Sequence, residues 1–362
     1  MLKKIRKQCE KHIEEFTKLY NIIIVANVRE MTEDFNDYSD TSIISEFLTL
    51  NQYELIIETL RDCGFEVSSY FDENDFIGDC IERGCFRNNK KQTIVINSAQ
   101  KGTAVGRKSL IPAFCDLNGI WYSNSNAYTV SLARHKFHCD SILKANSLPS
   151  LESFLYLPYS GWFSGKKPIT GNRFIAKLNG ETSSMGMSNK NIFIFDDEKE
   201  QIVKSLSETY KQAIIVQPFI EGFEVEIPLM ATKKSVDVIL PVGISINGAN
   251  RLNDSILDYE TRKNLRFGFY NYRTFNPCLS EAIEDCAKNV ARLLGIEGFG
   301  RVDFRIDSSG DYYVTDIATN PHITEGMSFN YAFEEHGMGY REMLETLIFI
   351  TVCRFTGSTY CI

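Results

Sequence analysis

The stretch "GRVDFRIDSSGDYYVTDIATNPHI", residues 300–323, has the pattern of two β-strands joined by a tight turn. Apolar and polar residues alternate in its first half, which is typical of a strand with one buried face. Ser309 and Gly310 are residue types that favour turns. A turn centred on them places Asp303 opposite Asp316. The sequence therefore predicts a hairpin in which two carboxylates face each other.

Two opposed carboxylates need a compensating charge. Side chains directly opposite each other in a hairpin have Cβ atoms about 5 Å apart, and like charges there destabilise the pair. Three things can offset the repulsion: a neighbouring arginine (Arg301 or Arg305), a shared proton or a bound cation. Mg²⁺ prefers carboxylates together with substrate phosphates. The hairpin alone leaves two alternatives, a metal site and a solvated hairpin neutralised by arginine.

A second stretch, "RFIAKLNGETSSMGMS" (173–188), has the composition of a phosphate-binding loop. A predicted strand that carries Lys177 leads into a run of glycine, serine and threonine residues. Small residues let backbone N–H groups converge on an anion, and hydroxyl groups add donors. The alternative is a flexible hairpin tip. The sequence lacks G-x-x-x-x-G-K-[ST], so this is not a P-loop of the Walker type.

Length and composition place the chain among ordinary globular proteins. Its 362 residues predict about two or three domains, and 43% hydrophobic with 24% charged residues are usual proportions. The net charge of −8 argues against nucleic acid or an anionic membrane as a partner. Ten scattered cysteines without a C-x-x-C pair, and a charged amphipathic N-terminus, predict a reduced, cytoplasmic protein. The apolar run at 347–353 is too short to span a bilayer.

The order of predicted elements divides the chain into three parts. Strand-like runs such as "NIIIVANV" (21–28) and "QTIVINSA" (92–99) alternate with helical segments, which predicts an α/β domain with a parallel sheet. Residues 172–219 have an α+β pattern with mostly antiparallel connections, and strands dominate again from about residue 223. A helix over 278–296 leads into the hairpin that carries the two aspartates.

Several of these segments together resemble the ATP-grasp superfamily, and within it the D-alanine–D-alanine ligase family. The hairpin resembles that family's G-x-x-R-V-D-F-x-x-D-x-x-G-x-x-Y-x-x-E-I-N-T-x-P segment, and "KLNGETSSMGMS" resembles its K-P-x-x-x-G-S-S-x-G-V loop. "NGIWYSNSNAYTVSLARHKF" resembles the family segment L-G-I-P-Y-T-G-S-x-x-x-x-x-x-x-x-x-K. "VQPFIEGFEVEIPLM" resembles the family segment E-E-Y-I-x-G-x-E. The segments occur in the family's order over about two thirds of the chain.

The resemblance implies a three-domain ATP-grasp architecture with ATP between the central and C-terminal domains. The expected boundaries are an N-terminal α/β domain at 1–125, a central subdomain with the phosphate loop at 126–222, and a C-terminal subdomain with the metal and catalytic residues at 223–362. The expected cofactors are ATP and Mg²⁺, with Mn²⁺ as the alternative ion. The expected partners are a small carboxylate and a small amine, and family members commonly form homodimers.

The resemblance also implies roles for individual residues. Arg301 matches the arginine that stabilises the charged intermediate, and Asp303 and Asp316 match two magnesium ligands. The family's third ligand aligns with Ala318, so Asn320 takes that role only if the strand end bulges. The remaining matches concern the nucleotide: Lys136 and Lys177 on the phosphates, Ser183, Ser184 and Gly186 in the loop above them, Gln217 in the adenine segment, Glu224 on the ribose, and Arg262 near the lysine of D-Y-x-x-K.

Three departures from the family pattern bear on the substrate. His322 replaces a glycine, and Met327 falls where a substrate-binding serine is expected, with Ser328 one place away. The segment "QKGTAVGRKS" (100–109) is basic where the family is acidic, so Arg107 and Lys108 are candidates for binding an acidic group, with an exposed basic loop as the more ordinary alternative. D-alanine is therefore not the expected substrate.

The expected reaction transfers the γ-phosphoryl group of ATP to a carboxylate and lets an amine attack the acyl phosphate. Lysines and a divalent cation meet the charge requirements of phosphoryl transfer, and Arg301 meets those of a tetrahedral oxyanion. Two alternatives are a nucleotide-binding protein without ligase activity and an ATP-grasp small-molecule kinase.

Overall fold

The computed structural model describes residues 2–33, 37–38, 41–84, 90–102, 104–182, 184–264 and 266–357. Its helices are α1 (Leu2–Leu19), α2 (Leu50–Asp62), α3 (Glu73–Arg83), α4 (Leu110–Asn118), α5 (Ala127–Arg134), α6 (Lys136–Ala145), α7 (Glu200–Tyr210), α8 (Tyr259–Lys263), α9 (Tyr272–Phe275), α10 (Pro277–Leu294), α11 (Ser328–Glu334) and α12 (Tyr340–Thr356). Among the helices described, none has the length and apolar character needed to cross a membrane.

The strands are more numerous and form three main sheets. They are β1 (Tyr20–Ala26), β2 (Asp37–Tyr38), β3 (Thr41–Ser42), β4 (Glu66–Tyr70), β5 (Gln92–Ser98), β6 (Trp121–Tyr122), β7 (Phe154–Leu157), β8 (Gly161–Trp162), β9 (Arg173–Leu178), β10 (Ile192–Ile194), β11 (Ile214–Pro218), β12 (Gly222–Ala231), β13 (Val236–Val238), β14 (Val242–Ile246), β15 (Arg251–Asn253), β16 (Phe267–Asn271), β17 (Gly298–Ile306) and β18 (Tyr312–Ala318).

The first sheet has the strand order β4-β1-β5-β6, and every pairing in it is parallel. Helices cover both faces, which is why β1 is an almost unbroken β-branched run rather than an alternating one. Ile22 and Ile24 pack on one face against α1, α2 and α12, whereas Ile23 and Val25 pack on the other against α3 and α4. The parallel α/β domain expected from the sequence is confirmed.

The second sheet, with the order β10-β9-β11-β7-β8, is antiparallel throughout. In β9, Phe174, Ala176 and Leu178 enter a core that includes buried residues of α7, so the intervening Lys177 lies on the opposite face. The third sheet contains β16-β14-β12-β17-β18, with β13 and β15 also paired to β12. The domain boundaries at 125/126 and 222/223 stay predictions, although the three sheets lie in the corresponding stretches.

The last helix, α12, packs against the N-terminal domain as well as against the third sheet. It is apolar around nearly its whole circumference, and its buried side chains share one core with α1, β1 and α2. Phe349 lies 6.1 Å from Phe16 between ring centroids, and Glu345 pairs with Arg6 at 2.5 Å. The two ends of the described chain are therefore joined in one core, a contact that the sequence pattern does not predict.

The hairpin of β17 and β18 has the predicted pairing, although it reaches that pairing by another route. Near the turn, Ile306 lies opposite Tyr312. A symmetric turn at Ser309 and Gly310 would have placed Ile306 opposite Tyr313, so the register here differs from the predicted one by one residue. A β-bulge between Asp303 and Phe304 then shifts the register, and beyond it Asp303 lies opposite Asp316. The hydroxyl of Thr315, the extra residue, donates to the Asp303 carbonyl at 3.2 Å.

Candidate active site

A cleft of about 180 Å³ lies between the second and third sheets. Its walls are the exposed face of β9, the segment that follows β11, and the polar face of β17 and β18. The cleft brings together most of the residues that the sequence analysis selected. Those that line it are Lys136, Lys177, Ser184, Glu224, Arg262, Arg301, Asp303, Asp316 and Asn320.

Two lysines give the cleft a positive wall. Lys136 is the first residue of α6, and its Nζ donates to the Glu181 carbonyl at 2.6 Å and lies 3.2 Å from Asp316 Oδ1. Lys177 projects from β9 into the same space. Burial lowers the pKa of Lys177, and the neighbouring charge of Lys136 lowers it further. Two buried ammonium groups that face one cavity favour the binding of an anion.

The two aspartates each have a cation of their own. Arg301 donates to both oxygens of Asp303 at 2.7 Å, and it also lies 3.0 Å from Glu226. Burial raises the pKa of Asp303 to about 7, although Arg301 opposes this shift. Burial acts in the same direction on Asp316, but Lys136 and Arg301 outweigh it and lower the pKa of Asp316. The pair therefore divides its negative charge unequally, with Asp316 the more acidic member.

These carboxylates suit a hard divalent cation only in combination with other oxygen donors. Within the described part of the chain, no three His, Cys, Asp or Glu side chains are grouped so as to hold a metal ion by themselves. Mg²⁺ commonly binds one or two carboxylates together with substrate phosphates, and the opposed Asp303 and Asp316 supply that partial set. The donor chemistry of the pair therefore fits Mg²⁺ delivered with a nucleotide.

Asn320 lines the same cleft, but its side-chain amide forms hydrogen bonds with other protein groups. Its Oδ1 accepts a hydrogen bond from Asn124, and its Nδ2 donates to the Asn97 carbonyl at 2.8 Å. One lone pair of Asn320 Oδ1 is therefore occupied by Asn124. Its role as a third ligand stays a prediction, and the bulge that this role needed lies at Thr315 rather than beyond Ala318.

The phosphate loop closes over the cleft and contacts the third sheet's loops. The hydroxyl of Ser184 donates a hydrogen bond to the Leu257 carbonyl. The backbone N–H of Tyr259 donates to the Met187 carbonyl at 3.3 Å. Gly186 has φ of 68°, and an added Cβ would lie 3.2 Å from side-chain atoms of Leu178 and Tyr210. Gly186 lines a second cavity behind the loop rather than the cleft itself. Ser183, also predicted to bind phosphate, lies outside the described residues.

The far end of the cleft has the features of a nucleoside pocket. Glu224 and Arg305 are cross-strand neighbours whose side chains meet at 3.1 Å, and Arg305 lies over the Phe219 ring at 5.6 Å. Gln217 does not line the cleft, because its Nε2 donates to Asp140 at 2.6 Å. The three residues that follow Gln217 form this wall: Pro218, Phe219 and Ile220.

At the opposite end, an ion-pair network joins the phosphate loop to the N-terminal domain. Glu181 accepts from Arg107 at 3.2 and 2.7 Å and from Arg134 at 3.1 Å. The Thr182 hydroxyl lies 2.8 Å from both carboxylate oxygens of Glu46. The Arg107 side chain is only 2% exposed, so the expectation of an exposed basic loop is wrong. Burial of this charge is possible because Glu181 neutralises it.

Several residues of this network and of the cleft were not predicted from the sequence. Glu46, Arg134 and Glu181 carry no recognisable motif, and Glu46 is 136 positions from its partner Thr182. One local signal was available: an acid inside a glycine- and serine-rich phosphate loop, as in "NGETSS", needs a nearby cation. Glu226, the neighbour of Arg301, could have been found from its alternation with Glu224 along one strand.

Comparisons with known proteins agree with this geometry. The family model described as "D-ala D-ala ligase C-terminus" matches residues 174–349, which include the phosphate loop and the hairpin. A D-alanine–D-alanine ligase of Thermotoga petrophila is 24% identical over 303 residues, covering 83% of this chain and 91% of the relative. One from Carboxydothermus hydrogenoformans is 28% identical over 258 residues, covering 68% and 77% respectively.

Solved structures show the same fold. The D-alanine–D-alanine ligase of Bacillus anthracis in complex with ATP superposes with a TM-score of 0.68 at 14% identity, covering 93% of this chain and 100% of that one. The VanG D-Ala:D-Ser ligase of Enterococcus faecalis superposes with a TM-score of 0.66 at 14% identity, and the match covers 92% of this chain and 99% of that one. These likenesses confirm the three-domain ATP-grasp architecture expected from the sequence. Residues 174–349 are therefore similar to the C-terminal part of D-alanine–D-alanine ligases, and the chain as a whole shares the fold of these enzymes.

Proposed function

We propose that this protein uses ATP and Mg²⁺ to convert a carboxylate to an acyl phosphate, which an amine then attacks to give an amide, ADP and phosphate. The observation that carries the proposal is the convergence of Lys136, Lys177, Arg301 and the opposed Asp303 and Asp316 in one cleft. Phosphoryl transfer depends on positioning and on neutralising charge, and these side chains provide both signs of charge at one place.

Each group has a distinct part in the proposed reaction. Lys136 and Lys177 are assigned to phosphate oxygens. Asp303 and Asp316 would hold a magnesium ion, which would neutralise charge on the transferred phosphoryl group. Arg301, which lines the same cleft, is assigned to the oxyanion of the tetrahedral intermediate. Its bidentate contact with Asp303 fixes the guanidinium in position before the substrate binds.

The nucleoside end supports ATP as the phosphoryl donor. Glu224, held by Arg305, presents a carboxylate to ribose hydroxyls, and the segment after Gln217 presents backbone groups and Phe219 to a base. The Bacillus anthracis relative, whose overall fold this chain shares, is described in complex with ATP.

We further propose that D-alanine is not the substrate. His322, Lys108 and Arg262 line the cleft near Arg301 and give that end a basic, aromatic surface. The methyl side chain of alanine offers no group to match these side chains. A cytoplasmic location and homodimerisation also stay predictions from the sequence.

The test is ADP release from purified protein with ATP, Mg²⁺ and pairs of amino acids and small carboxylates, followed by mass spectrometry of the products. A ligase requires both partners for full turnover, a kinase requires one acceptor, and a nucleotide-binding protein releases no ADP with any pair. We expect Lys177→Ala to abolish ADP release, and Lys204→Ala, on the outer face of α7, to leave it unchanged. Undiminished turnover in the Lys177 variant would remove the active-site assignment.

A further inference from the structure

The end of the cleft next to the N-terminal domain has more buried positive than negative charge. Three cations, Arg107, Lys108 and Arg134, meet two carboxylates, Glu46 and Glu181. The side chains of all five are at most 15% exposed. An uncompensated buried charge costs several kcal/mol, so such an arrangement favours a bound anion.

The three cations are not equally satisfied. Arg107 is fully occupied, because it forms a two-point contact with Glu181 and donates to the Gln100 carbonyl at 2.8 Å. It does not line the cleft. Arg134 lines the cleft and, among the described residues, its buried Nε has no hydrogen-bond partner. Two of the three cations, Lys108 and Arg134, therefore line the cleft.

Lys108 is the cation best placed to meet a ligand. Its Nζ lies 3.1 Å from Glu46 and 3.3 Å from the Thr182 hydroxyl, and it lines the cleft. Glu46 is shared with Thr182, so it compensates Lys108 only in part. Burial lowers the pKa of Lys108 to about 8, and Arg134 and Arg107 contribute to this shift against the opposing effect of Glu46.

His322 lines the cleft together with Lys108. An imidazole ring carries an N–H group that can donate a hydrogen bond. A carboxylate placed here would meet the ammonium of Lys108 and this donor together.

We propose that Lys108 binds a carboxylate that does not react, and we assign this carboxylate to the acidic side chain of one of the two amino-acid substrates rather than to an α-carboxylate. This inference rests on the proposed function and names its substrate class. Lys108 is then the residue that selects aspartate- or glutamate-like substrates over their amides.

The experiment compares acids with matched amides. Aspartate and asparagine, and glutamate and glutamine, are tested at either position of the substrate pair by ADP release and mass spectrometry. We expect kcat/KM for the acid to exceed that for the amide by at least about 10-fold, and Lys108→Gln to abolish this preference. Lys91→Gln, which removes a cation paired with Glu66 away from the cleft, is the control and should retain the preference.

Binding measurements separate failure of this inference from failure of the ligase proposal. Calorimetric titration of glutamate and glutamine into protein loaded with a non-hydrolysable ATP analogue requires no turnover. Tighter binding of glutamate that Lys108→Gln removes supports the subsite even if no pair yields ADP. Equal use and equal binding of acid and amide by the native protein would overturn it. So would a Lys108→Gln variant that loses affinity for the ATP analogue but keeps the acid preference, since the surplus charge would then serve the phosphates.

Discussion

Asp303 on β17 lies opposite Asp316 on β18 because a bulge at Thr315 corrects the register between the turn and the cleft. Without that bulge, Asp303 would face Thr315, and only one carboxylate of the pair would occupy this position. A local irregularity of one residue therefore creates the only pair of directly opposed aspartates within the described sheets.

The first prediction concerns the metal. We expect Asp316→Asn to raise the Mg²⁺ concentration for half-maximal ADP release at least about 10-fold, because one of two carboxylate ligands becomes neutral. The thermal stabilisation of the protein by ADP with Mg²⁺, measured against ADP alone, should fall in parallel. Asp311→Asn, in the exposed turn of the same hairpin, serves as the control. An unchanged Mg²⁺ requirement would mean that Asp316 only balances Lys136.

The second prediction concerns the phosphate loop. Gly186→Ala places a side chain at φ of 68° and within 3.2 Å of Leu178 and Tyr210, so the loop must shift. The left-handed conformation alone costs an L-residue about 1–2 kcal/mol. We expect the KM for ATP to rise several-fold. Gly310→Ala imposes a comparable φ, 91°, with nothing within 4 Å, and should leave the KM unchanged.

The third prediction concerns pH. Burial raises the pKa of Asp140 to about 6, so its contribution to stability is present below its ordinary pKa of 3.8 and is lost as pH rises through 6. We therefore expect the free energy of unfolding of Asp140→Asn to exceed that of the native protein by about 3 kcal/mol near pH 7.5 and to be similar to it near pH 4. Urea denaturation at both pH values measures this, with Asp197→Asn, whose side chain is 91% exposed, as control. Equal stabilities at the higher pH would contradict it.

The fourth prediction concerns the buried network. Glu181→Gln leaves Arg107 and Arg134 without their shared carboxylate, and breaking a buried ion pair costs about 3–5 kcal/mol. We expect the free energy of unfolding to fall by about that amount, as measured in urea. Glu208→Gln, exposed on α7, should have an effect below about 0.5 kcal/mol. If Glu181→Gln is equally mild, water or a bound anion already balances the arginines.

The fold was predictable from the sequence where short-range pattern determines it. The unbroken apolar run of β1 marks a parallel strand, and the alternation in β17 marks a strand with one polar face, so the face that carries Arg301 and Asp303 could be assigned. Turn residues placed Asp316 correctly, although the compensating bulge was not foreseen. The packing of α12 on α1 was not predictable, because an all-round apolar helix does not specify its partner.

The site was predictable only where residues lie within one motif. Lys177, Asp303 and Asp316 each belong to a recognisable segment, and the cleft contains them all. Glu46 does not, because its contacts with Lys108 and Thr182 join parts of the chain that no local pattern relates. For the same reason the burial of Arg107 was missed: composition shows a basic segment but not the distant acid that neutralises it.

The position of α12 has a consequence for biosynthesis. A ribosome releases the strands of the N-terminal sheet first, yet Leu347 and Phe349, which cover that sheet, are translated only after the other two sheets. Part of the apolar surface of the first domain therefore stays uncovered while those two sheets are translated, when a nascent chain is exposed to aggregation. Chaperone capture of truncated nascent chains, ended by the arrival of α12, is the expected signature of this arrangement.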